Sequence, residues 1–431
     1  MSFQFSPDQH AAIDGVCDTL MGGDFESHEL AVLTGSAGTG KTTVVSEIIN
    51  KLKLRAIPPK VYLAASTHKA SRVLQDIVGV DVVTGYSLFK LRPGINKYGK
   101  ETLASSGKCE IFEGSVIIID EASMIGNFFL KAIVDTIRDK FLKVLFVGDP
   151  FQLPPPKDSC SIFDGSLTTF TLTHVHRQTG GNPILEKANE YREYIEGIRK
   201  SEPVLETCLN AAGEGIHVLS HDDFVKEFVH KYVDYPVGAD VDVPLCTFTN
   251  KSAIDYNNVV RKATYFLEDT IQPFYKGEQL IANSVILHAE RVVITNNETV
   301  TVLEFSRGDL KGIPGHWVRV YGDYVEYLDS SEKTVFCPLS ASSADSVLSK
   351  LRSKAIKEKT KAAWLDFYAL KNQLADLRPP FAGTTHKSQG GTFSAIFIDR
   401  VNINQCKVPA TKARLMYVAL TRASKNVYIN S

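Results

Sequence analysis

The octapeptide at residues 35–42 constrains the fold of this chain more than any other feature. It reads Gly-Ser-Ala-Gly-Thr-Gly-Lys-Thr, follows the apolar run at residues 30–34 and precedes a helical pattern that begins at Val44. Glycines at these spacings let backbone N–H groups curl around a phosphate at a helix N-terminus, while Lys41 neutralises phosphate oxygens and the Thr42 hydroxyl binds Mg²⁺. The pattern therefore predicts a phosphate-binding loop between a buried strand and a helix.

Three other short apolar runs, at residues 61–65, 116–120 and 143–147, resemble the run before that loop. Each is continuous and ends where polar or glycine-rich residues begin, which is typical of strands buried on both faces of a parallel sheet. Helical stretches alternate with the runs, so the predicted class is α/β. Because open α/β sheets bind ligands at the carboxyl ends of their strands, we expect the residues after the four runs to face one site.

Polar side chains follow two of these runs. Asp120 and Glu121 end the most apolar run of the chain, where one carboxylate can hold a magnesium ion and the second can take a proton from attacking water. Gln152, after the next run, can hydrogen-bond a γ-phosphate or its water, although a proline-rich turn is the plainer alternative. The guanine-reading pattern Asn-Lys-x-Asp is not satisfied, because Ala253 follows residues 250–252. Hydrolysis of ATP is therefore the predicted chemistry.

Composition sets wider limits on the function. The 431 residues carry 48 Lys and Arg against 49 Asp and Glu, which excludes a uniformly basic nucleic-acid coat but not a locally basic groove. No stretch approaches the apolar length of a membrane span, and residues 1–8 lack the pattern of a signal peptide. Seven cysteines without zinc-site spacing favour reduced thiols. We expect a soluble cytoplasmic protein without a membrane partner, in the host cytosol if a phage encodes it.

The patterns divide the chain into two α/β regions, each with an insertion. In the second insertion, residues spaced for one helical stripe follow a basic segment, and this stripe predicts packing on one side of a helix: Trp364, Phe367, Leu370, Leu374 and Leu377. The predicted divisions are a first α/β domain at 1–83 and 116–176, a loop-rich insertion at 84–115, a second α/β domain at 177–275 and 378–431, and an insertion at 276–377 made of short strands in a small antiparallel barrel (276–341) and a helical segment (342–377).

Two arginines can supply positive charge to the transition state of such a reaction, which often comes from a second domain. Arg177 lies near the start of the second α/β region and Arg422 near its end. From the residues alone, a surface salt bridge is the commoner role for each. Gln9 lies at the start of a predicted helix, where its amide can pair with an adenine edge or can serve the helix alone.

Taken in order, these motifs resemble those of the superfamily 1 helicases, in the RecD-like branch that includes the Dda-type helicases of tailed phages. The resemblance covers nearly the whole chain, and its last two motifs are long and specific. The matching segments are residues 5–9 (Q motif), 35–42 (motif I), 65–71 (Ia), 119–123 (II), 148–155 (III), 177–178 (arginine finger), 247–250 (IV), 383–393 (V) and 417–423 (VI).

The resemblance implies two RecA-like P-loop domains with ATP and Mg²⁺ between them. The insertions then correspond to a small β module that carries a pin and to an SH3-like barrel followed by a helical tower. Thr42 and Asp120 would hold the metal, and Arg177 and Arg422 would reach the γ-phosphate. The residues implied for catalysis are Lys41, Glu121, Gln152, Arg177 and Arg422, and those implied for the nucleotide are Gln9, Gly35, Ser36, Ala37, Gly38, Thr39, Gly40, Lys41, Thr42, Thr43 and Gly391.

The resemblance also implies a sequence-independent track for a DNA strand, in which side chains contact sugar and phosphate. A β-hairpin at residues 93–103 is the candidate for the pin that splits the duplex, with Tyr98 or Phe89 as a stacking surface. Tyr86 departs from the family, which usually has a histidine there. The residues implied for the track are Thr67, His68, Lys69, Thr84, Pro93, Tyr98, Thr249, Asn250, Thr385, His386 and Lys387.

The chain is thus expected to be an ATP-dependent DNA helicase that moves along single strands, and only the resemblance implies the 5′-to-3′ direction. A DNA-stimulated translocase that displaces proteins without separating strands is the main alternative, and RNA is an alternative substrate. A P-loop phosphotransferase would leave Arg422 and residues 383–393 without a role, and the complete set of catalytic residues argues against a binding module with a vestigial ATPase. The expected partners are single-stranded and forked DNA, with single-strand-binding, replication or recombination proteins, for an enzyme active as a monomer.

Overall fold

The computed structural model of the chain describes residues 5–22, 29–66, 71, 74–75, 78–95, 101–105, 107–155, 158–174, 182–233, 244–265, 271–288, 291–322 and 331–431. No helix within these ranges is long and apolar enough to cross a membrane. The described residues form two α/β sheets, a smaller antiparallel sheet and a pair of two-stranded ribbons.

The first α/β sheet contains the four runs that the sequence predicts as strands. Its strands pair in parallel in the order β3-β2-β6-β7-β1-β8, while β4 and β5 form a separate antiparallel hairpin. The elements are β1 (Glu29–Gly35), β2 (Val61–Ala65), β3 (Val82–Thr84), β4 (Leu91–Ile95), β5 (Glu101–Ser105), β6 (Val116–Asp120), β7 (Lys143–Gly148) and β8 (Thr168–Leu172), with α1 (Pro7–Met21), α2 (Lys41–Lys53), α3 (Gly85–Leu88) and α4 (Asn127–Lys140).

The carboxyl ends of β6, β7 and β1 lie side by side in this sheet. Ile119 is opposite Phe146 in the β6–β7 pair, and Thr34 is opposite Gly148 in the β7–β1 pair. Apolar side chains on both faces of the sheet are buried, against α1 and α2 on one side and α4 on the other. The prediction that the segments after these runs share one edge is therefore confirmed.

The second α/β sheet takes strands from both sides of the long insertion. Before the insertion, the chain forms α5 (Pro183–Glu196), β9 (Cys208–Leu209), β10 (Gly215–Leu219), α6 (His221–Val233), β11 (Leu245–Thr247) and α7 (Asn250–Thr264).

The inserted module is built on an antiparallel sheet with the order β17-β16-β15-β12-β18, and β13 and β14 form a separate ribbon. The expectation of short strands is wrong for β15 and β16, which form a long hairpin of 12 and 10 residues. The elements are β12 (Gln279–Ala282), β13 (Ile286–His288), β14 (Arg291–Ile294), β15 (Thr299–Leu310), β16 (Ile313–Gly322), β17 (Glu332–Pro338), α8 (Ala341–Glu358), α9 (Lys361–Lys371) and β18 (Leu377–Arg378).

The helical segment predicted at 342–377 is in fact two helices followed by a strand. Lys359 has a left-handed backbone, with φ of 53°, and ends α8, after which Thr360 caps α9. Leu374 and Leu377 lie beyond the end of α9, so the prediction of one continuous stripe is wrong for them. The members of the stripe that α9 does bury are Trp364, Phe367 and Leu370.

After the insertion, the chain completes the second α/β sheet. Its strand order is β19-β11-β20-β21-β10-β9, parallel except for the pair β10–β9. These strands and helices support the prediction of a second RecA-like domain, while the domain boundaries given above stay predictions. The last elements are β19 (Ala382–Thr384), β20 (Phe393–Ile398), α10 (Arg400–Ile403), α11 (Pro409–Arg422) and β21 (Ala423–Asn430).

A buried ion pair fastens the inserted module to α7. Arg261, in the last turn of α7, donates from Nε to Glu278 Oε1 at 2.7 Å and from Nη2 to Glu278 Oε2 at 3.1 Å. The same Nη2 donates to the carbonyls of Gln272 and Pro273, and the guanidinium lies over the ring of Tyr275. Because both side chains are buried, each charge depends on the other for compensation.

We expect Glu278→Gln to destabilise the inserted module by about 3–5 kcal/mol, because it leaves the buried guanidinium of Arg261 without a counter-charge. Both tryptophans of the chain, Trp317 and Trp364, lie in this module. Urea unfolding followed by tryptophan fluorescence therefore measures its free energy of unfolding selectively.

Glu304→Gln is the matched control for this experiment. It breaks an exposed ion pair between Glu304 and Arg319 in the antiparallel sheet of the inserted module. Solvent already screens this pair. A shift as large as that of Glu278→Gln would contradict the anchoring role of the buried pair.

Candidate functional site

Three glycines shape the phosphate loop. Gly38 and Gly40 have positive φ angles of 85° and 79°, which residues with a Cβ rarely adopt. Gly35 is required for a different reason, because a Cβ at this position would lie 2.4 Å from Thr39 Oγ1. The Thr39 hydroxyl in turn donates to the Ser36 carbonyl at 2.9 Å. The loop conformation is thus specified by its own residues.

Lys41 is the first residue of α2 and folds back onto the start of the loop. Its Nζ donates to the carbonyls of Gly35 at 2.7 Å and Ser36 at 3.1 Å. Thr42 and Thr43 follow it in the first turn of α2. The ammonium group is therefore held where the loop begins, and two hydroxyl groups lie in the same turn of α2.

Gln9 connects α1 to the phosphate loop. Its side chain is fully buried, its Nε2 donates to the Thr39 carbonyl at 3.0 Å, and its Oε1 accepts from the Ser6 N–H at 3.0 Å. The second bond completes a capping box at the start of α1. In this structure the amide serves the helix and the loop, and the adenine contact of Gln9 stays a prediction.

Asp8 connects the same helix to the end of β8. Its Oδ2 accepts from the N–H of Thr173 at 2.8 Å and the N–H of His174 at 2.9 Å. In sequence, His174 lies three residues before Arg177. The first turn of α1 is therefore bonded both to the phosphate loop and to the segment that leaves the first sheet.

Two adjacent carboxylates lie at the end of β6, Asp120 as its last residue and Glu121 directly after it. Glu121 has a left-handed backbone with φ of 53°, a conformation that costs a residue of this kind about 1–3 kcal/mol. The turn lets the Glu121 N–H donate to Asp120 Oδ1 at 2.8 Å. Burial, then the charge of Glu121, raises the pKa of Asp120 to about 6, against the opposing effects of that hydrogen bond and of Lys41. This pair concentrates negative charge beside the phosphate loop.

The segment after β7 crosses to the second sheet. Asp149 is fully buried, and its carboxylate accepts from the Phe151 N–H at 3.0 Å and from the Tyr417 hydroxyl of α11 at 2.6 Å. The same hydroxyl lies beside the N–H of Ala37 in the phosphate loop. Burial, followed by the charge of Asp149, raises the pKa of Tyr417 well above its ordinary value. The two sheets and the phosphate loop therefore meet at one tyrosine.

Further bonds hold this segment against the second domain. Arg414 Nη1 donates to the carbonyls of Pro150 at 2.6 Å and Gln152 at 2.8 Å. Gln389 Nε2 donates to Gln152 Oε1 at 3.3 Å and to the Leu153 carbonyl at 3.2 Å. Leu153 is fully buried in the apolar core of the second domain. Gln152 thus faces the segment after β19, and its contact with a γ-phosphate stays a prediction.

Arg422 ends α11 where these segments of the two domains meet, a region called the cleft from here on. Its guanidinium is buried and donates from Nη1 to the Gly391 carbonyl and from Nη2 to Thr421 Oγ1, both at 3.3 Å. Several polar atoms of the segments that meet here are buried and lack a hydrogen-bond partner within the described ranges: Ser36 Oγ, Ser123 Oγ, Gln389 Oε1 and Arg422 Nε. Because buried polar atoms are nearly always hydrogen-bonded, this group fits a polar ligand.

On the second domain, Asn402 organises the start of α7. Its Oδ1 accepts from the N–H groups of Phe248 and Thr249, both at 2.9 Å. The Thr249 side chain caps α7. Asn250 is exposed at the first position of that helix, and its Oδ1 accepts from Arg378 Nη1 at 2.8 Å. Thr249 therefore has a structural partner, whereas Asn250 reaches the surface.

The three predicted track residues after β19 differ in accessibility. Thr385 is fully buried and its hydroxyl donates to the Thr247 carbonyl at 3.2 Å. His386 and Lys387 are half-buried in the short 3-10 helix that follows. Burial lowers the pKa of His386, and it lowers that of Lys387 to about 8. A strand contact by the Thr385 side chain stays a prediction that this inward position does not support.

The first insertion contains the predicted hairpin, in which Pro93 of β4 is paired with Leu103 of β5. Thr84 caps α3 by accepting from the Ser87 N–H at 3.3 Å, so its hydroxyl is already engaged. Tyr86, at the position that departs from the family, stacks on Phe129 with ring centroids 4.2 Å apart. The predicted site residues that lie outside the described ranges are Thr67, His68, Lys69, Tyr98 and Arg177.

Sequence reasoning missed the residues that join the segments to one another. Asp149 and Gln389 stand inside motifs that the sequence identifies, but nothing local indicates their partners. Arg414 and Tyr417 lie in earlier turns of α11, and for them the available signal was the helical pattern that ends at Arg422. The missed residues are Asp8, Asp149, Arg378, Gln389, Asn402, Arg414 and Tyr417.

We expect Tyr417→Phe to destabilise the protein by about 1.5–3 kcal/mol, because it removes a hydrogen bond to the buried carboxylate of Asp149. Tyr191→Phe is the matched control, since Tyr191 is buried in the same apolar core and its hydroxyl has no hydrogen-bond partner in the part of the chain that the structure describes. Urea unfolding of both variants measures the difference. Equal shifts would show that the bond across the two sheets contributes nothing.

Comparisons with protein families agree with this architecture. The family model described as AAA domain matches residues 4–226, which is more than half of the chain. The model described as UvrD-like helicase C-terminal domain matches residues 380–430, the segment that contains Arg422 and the residues after β19. Both halves of the cleft thus have family counterparts.

Two relatives and one solved structure are examples of what the chain is similar to. The chain is 25% identical over 438 residues to the ATP-dependent DNA helicase dda of Enterobacteria phage T4, covering 94% of each protein. It is 31% identical over 176 residues to the ATP-dependent RecD2 DNA helicase of Deinococcus radiodurans, which is 40% of this chain and 22% of that protein. The structure of the Pif1 helicase from Bacteroides in complex with ADP-AlF3 and ssDNA matches this chain with a TM-score of 0.49 and 16% identity. The match covers 100% of this chain and 93% of the chain in that structure. Through the family match and the ordered motifs, the chain belongs to the AAA domain family and to the RecD-like branch of the superfamily 1 helicases, which are ATP-dependent enzymes.

Proposed function

We propose that this chain hydrolyses ATP to move along single-stranded DNA in the 5′-to-3′ direction and thereby separates duplex strands. The observation that carries the proposal is the junction at Tyr417, where the segment after β7, the phosphate loop and α11 meet. Nucleotide binding in a cleft between two domains changes the distance between them. A motor that moves along a strand requires such a change.

ATP and Mg²⁺ fit the residues at the carboxyl edge of the first sheet. The buried hydroxyls of Ser36 and Ser123 have unused hydrogen-bonding capacity among the described residues. Mg²⁺ prefers oxygen ligands such as the Thr42 hydroxyl and the Asp120 carboxylate. When bound, the ion neutralises phosphate charge. Lys41 would exchange its carbonyl partners for phosphate oxygens, which are the stronger acceptors.

The hydrolytic step then requires a base and positive charge. Glu121 follows Asp120 directly and would take the proton from the attacking water. Arg422, which is held at the cleft by the Gly391 carbonyl, would stabilise charge on the γ-phosphate, together with Arg177. Since α11 belongs to the second domain, this requirement favours a closed cleft during hydrolysis.

The DNA strand would lie across the surface of both domains. On the second domain, Asn250, His386 and Lys387 have side chains that solvent reaches. Hydrogen bonds and charge of this kind act on the sugar-phosphate backbone, so the binding is independent of sequence. On the first domain, residues 67–69 and Thr84 would complete the track. The β4–β5 hairpin would act as the pin that divides the strands, and Pro93 and Tyr98 would contact the DNA there.

The test compares ATP hydrolysis with and without single-stranded DNA and follows separation of a forked duplex with a 5′ tail. We expect DNA to stimulate hydrolysis and the fork to open. Lys41→Ala should reduce the rate by about a hundredfold or more, because the charge that stabilises the phosphates is lost, and should leave DNA binding intact. Hydrolysis that does not respond to DNA would contradict the proposal.

The same experiment separates the proposed helicase from its main alternative. A forked duplex with a 3′ tail serves as the control for direction. Stimulated hydrolysis without strand separation from either tail would favour a translocase that displaces proteins. It would also remove the proposed role of the β4–β5 hairpin.

Lys387 should make the affinity for DNA depend on pH. Burial first, and the charge of Arg378 second, lower its pKa to about 8, while Asp376 acts in the opposite direction. The free protein therefore loses this charge as the pH rises through about 8. A bound phosphate favours the charged form, so the affinity should be constant at lower pH and should fall above about pH 8, by up to about tenfold per pH unit.

Fluorescence anisotropy with a labelled oligothymidine, measured from about pH 7 to about pH 9, checks this expectation. The control is Lys387→Arg, because a guanidinium stays charged throughout this range. A decline of the same size in the variant would assign the pH dependence to another group.

A further inference from the structure

Arg378 lies where the inserted module returns to the second domain. Its backbone is in β18, opposite Ile281 of β12. Its guanidinium makes two bonds to the Asp376 carboxylate, from Nε to Oδ1 and from Nη2 to Oδ2, both at 2.7 Å. Nη1, on the remaining edge, donates to Asn250 Oδ1 at 2.8 Å. Arg378 lies one residue past the boundary predicted at 377, but β18 pairs with the sheet of the inserted module, so an arginine of that sheet is bonded to the proposed DNA track.

Asp376 holds the guanidinium in a fixed position. Its Oδ2 also accepts from Asn283 Nδ2 at 2.6 Å, and its carbonyl accepts from the Asn283 N–H at 2.8 Å. A carboxylate with three side-chain bonds has little freedom to rotate. The bidentate pair therefore directs Nη1 of Arg378 towards α7 instead of leaving the side chain to sample solvent.

The contact with Arg378 also orients the amide of Asn250. Because Oδ1 of Asn250 accepts from the arginine, its Nδ2 must point to the other side. Asn250 is exposed at the start of α7, so this donor faces solvent. An amide held this way can donate to a phosphate oxygen without first being reoriented.

Lys387 lies at the same edge of the second sheet as Asn250. Thr384, three residues before Lys387, is opposite Thr247, three residues before Asn250, in the parallel pair of β19 and β11. The charge of Arg378 acts on the lysine strongly enough to contribute to its lowered pKa, and Asp376 acts against that effect. Two parts of the chain that are far apart in sequence, residue 250 and residues 378–387, therefore place an amide donor, a guanidinium and an ammonium group at one edge of the second sheet. The Arg378 side chain retains 23% of its exposure, which leaves it accessible to a ligand.

We propose that Arg378 is a phosphate-binding residue that the inserted module contributes to the DNA track, where it orients Asn250 and shares a backbone phosphate with Lys387. The inference rests on the function proposed above, since it concerns the same strand. The inserted module then takes part directly in the binding of DNA by the second domain. Asp376 keeps the arginine in position between successive contacts.

The test measures the affinity for a labelled oligothymidine at several salt concentrations in wild type and Arg378→Gln. We expect binding about tenfold weaker in the variant. The slope of log affinity against log salt should become less steep by about 0.7, the value for one phosphate contact on a single strand.

Arg319→Gln is the matched control, because Arg319 lies on the same sheet and pairs with two carboxylates, Glu304 and Glu332. It should leave both the affinity and the salt slope unchanged. Should Arg378→Gln fold poorly, Arg378→Lys serves instead. That variant keeps the charge but cannot form the planar pair with Asp376, so it should lower the affinity and preserve the slope.

The outcomes distinguish this inference from the proposed function. If wild type binds DNA and Arg378→Gln keeps the wild-type salt slope, Arg378 is only a structural fastener and the inference is overturned, while the helicase proposal stands. If wild type neither binds single-stranded DNA nor responds to it in hydrolysis, both are overturned. A thermal melt of each variant shows whether a weaker affinity reflects partial unfolding.

Discussion

The arrangement of the two α/β domains depends first on a buried hydrogen bond from the hydroxyl of Tyr417 to the carboxylate of Asp149, which the bonds of Arg414 and Gln389 reinforce. A carboxylate removed from water must be compensated by donors, and here one of the donors comes from the other domain. In this structure the bond sets the position of α11 relative to β7, and with it the positions of Arg414 and Arg422, the two arginines of α11. Because the same hydroxyl lies beside Ala37, the chemistry at the phosphate loop and the placement of the domains are subject to one constraint.

Much of this architecture follows from local sequence patterns, and the limits of that approach have physical causes. Strands buried on both faces must be continuously apolar, so the four runs and their shared edge could be predicted. The break at Lys359 could not, because its left-handed backbone is fixed by how α8 and α9 pack and not by the local charge pattern. The bond between residues 149 and 417 joins positions that are far apart in sequence, and neither side chain indicates its partner. Gln9 was recognised as a helix start, but its bond to Thr39 depends on how α1 packs against the loop.

The electrostatics of the proposed track suit a reversible grip. The chain has a net charge of −1, so its attraction for a strand must be local. Burial weakens the charge of Lys387, and Asp376 partly neutralises Arg378. Each phosphate contact therefore adds only a modest amount of affinity for the strand. Because every additional contact raises that affinity, many strong contacts would slow release of the strand. A motor must release the strand as often as it binds it, and a few partly neutralised charges allow both binding and release.

The hydrogen bonds of Asp8 join the first turn of α1 to the residues that follow β8. The segment after His174 connects the two α/β domains in sequence, and Asp8 holds the residues from which that segment departs. Tension along the connection therefore acts on the first turn of α1, where Gln9 passes it to the Thr39 carbonyl of the phosphate loop. Coupling between two sites is reciprocal, so a nucleotide that shifted these bonds would itself be bound more or less tightly when the same bonds were shifted from the other end. The first turn of α1 is thus a hydrogen-bonded path from the phosphate loop to the point where the chain leaves the first sheet.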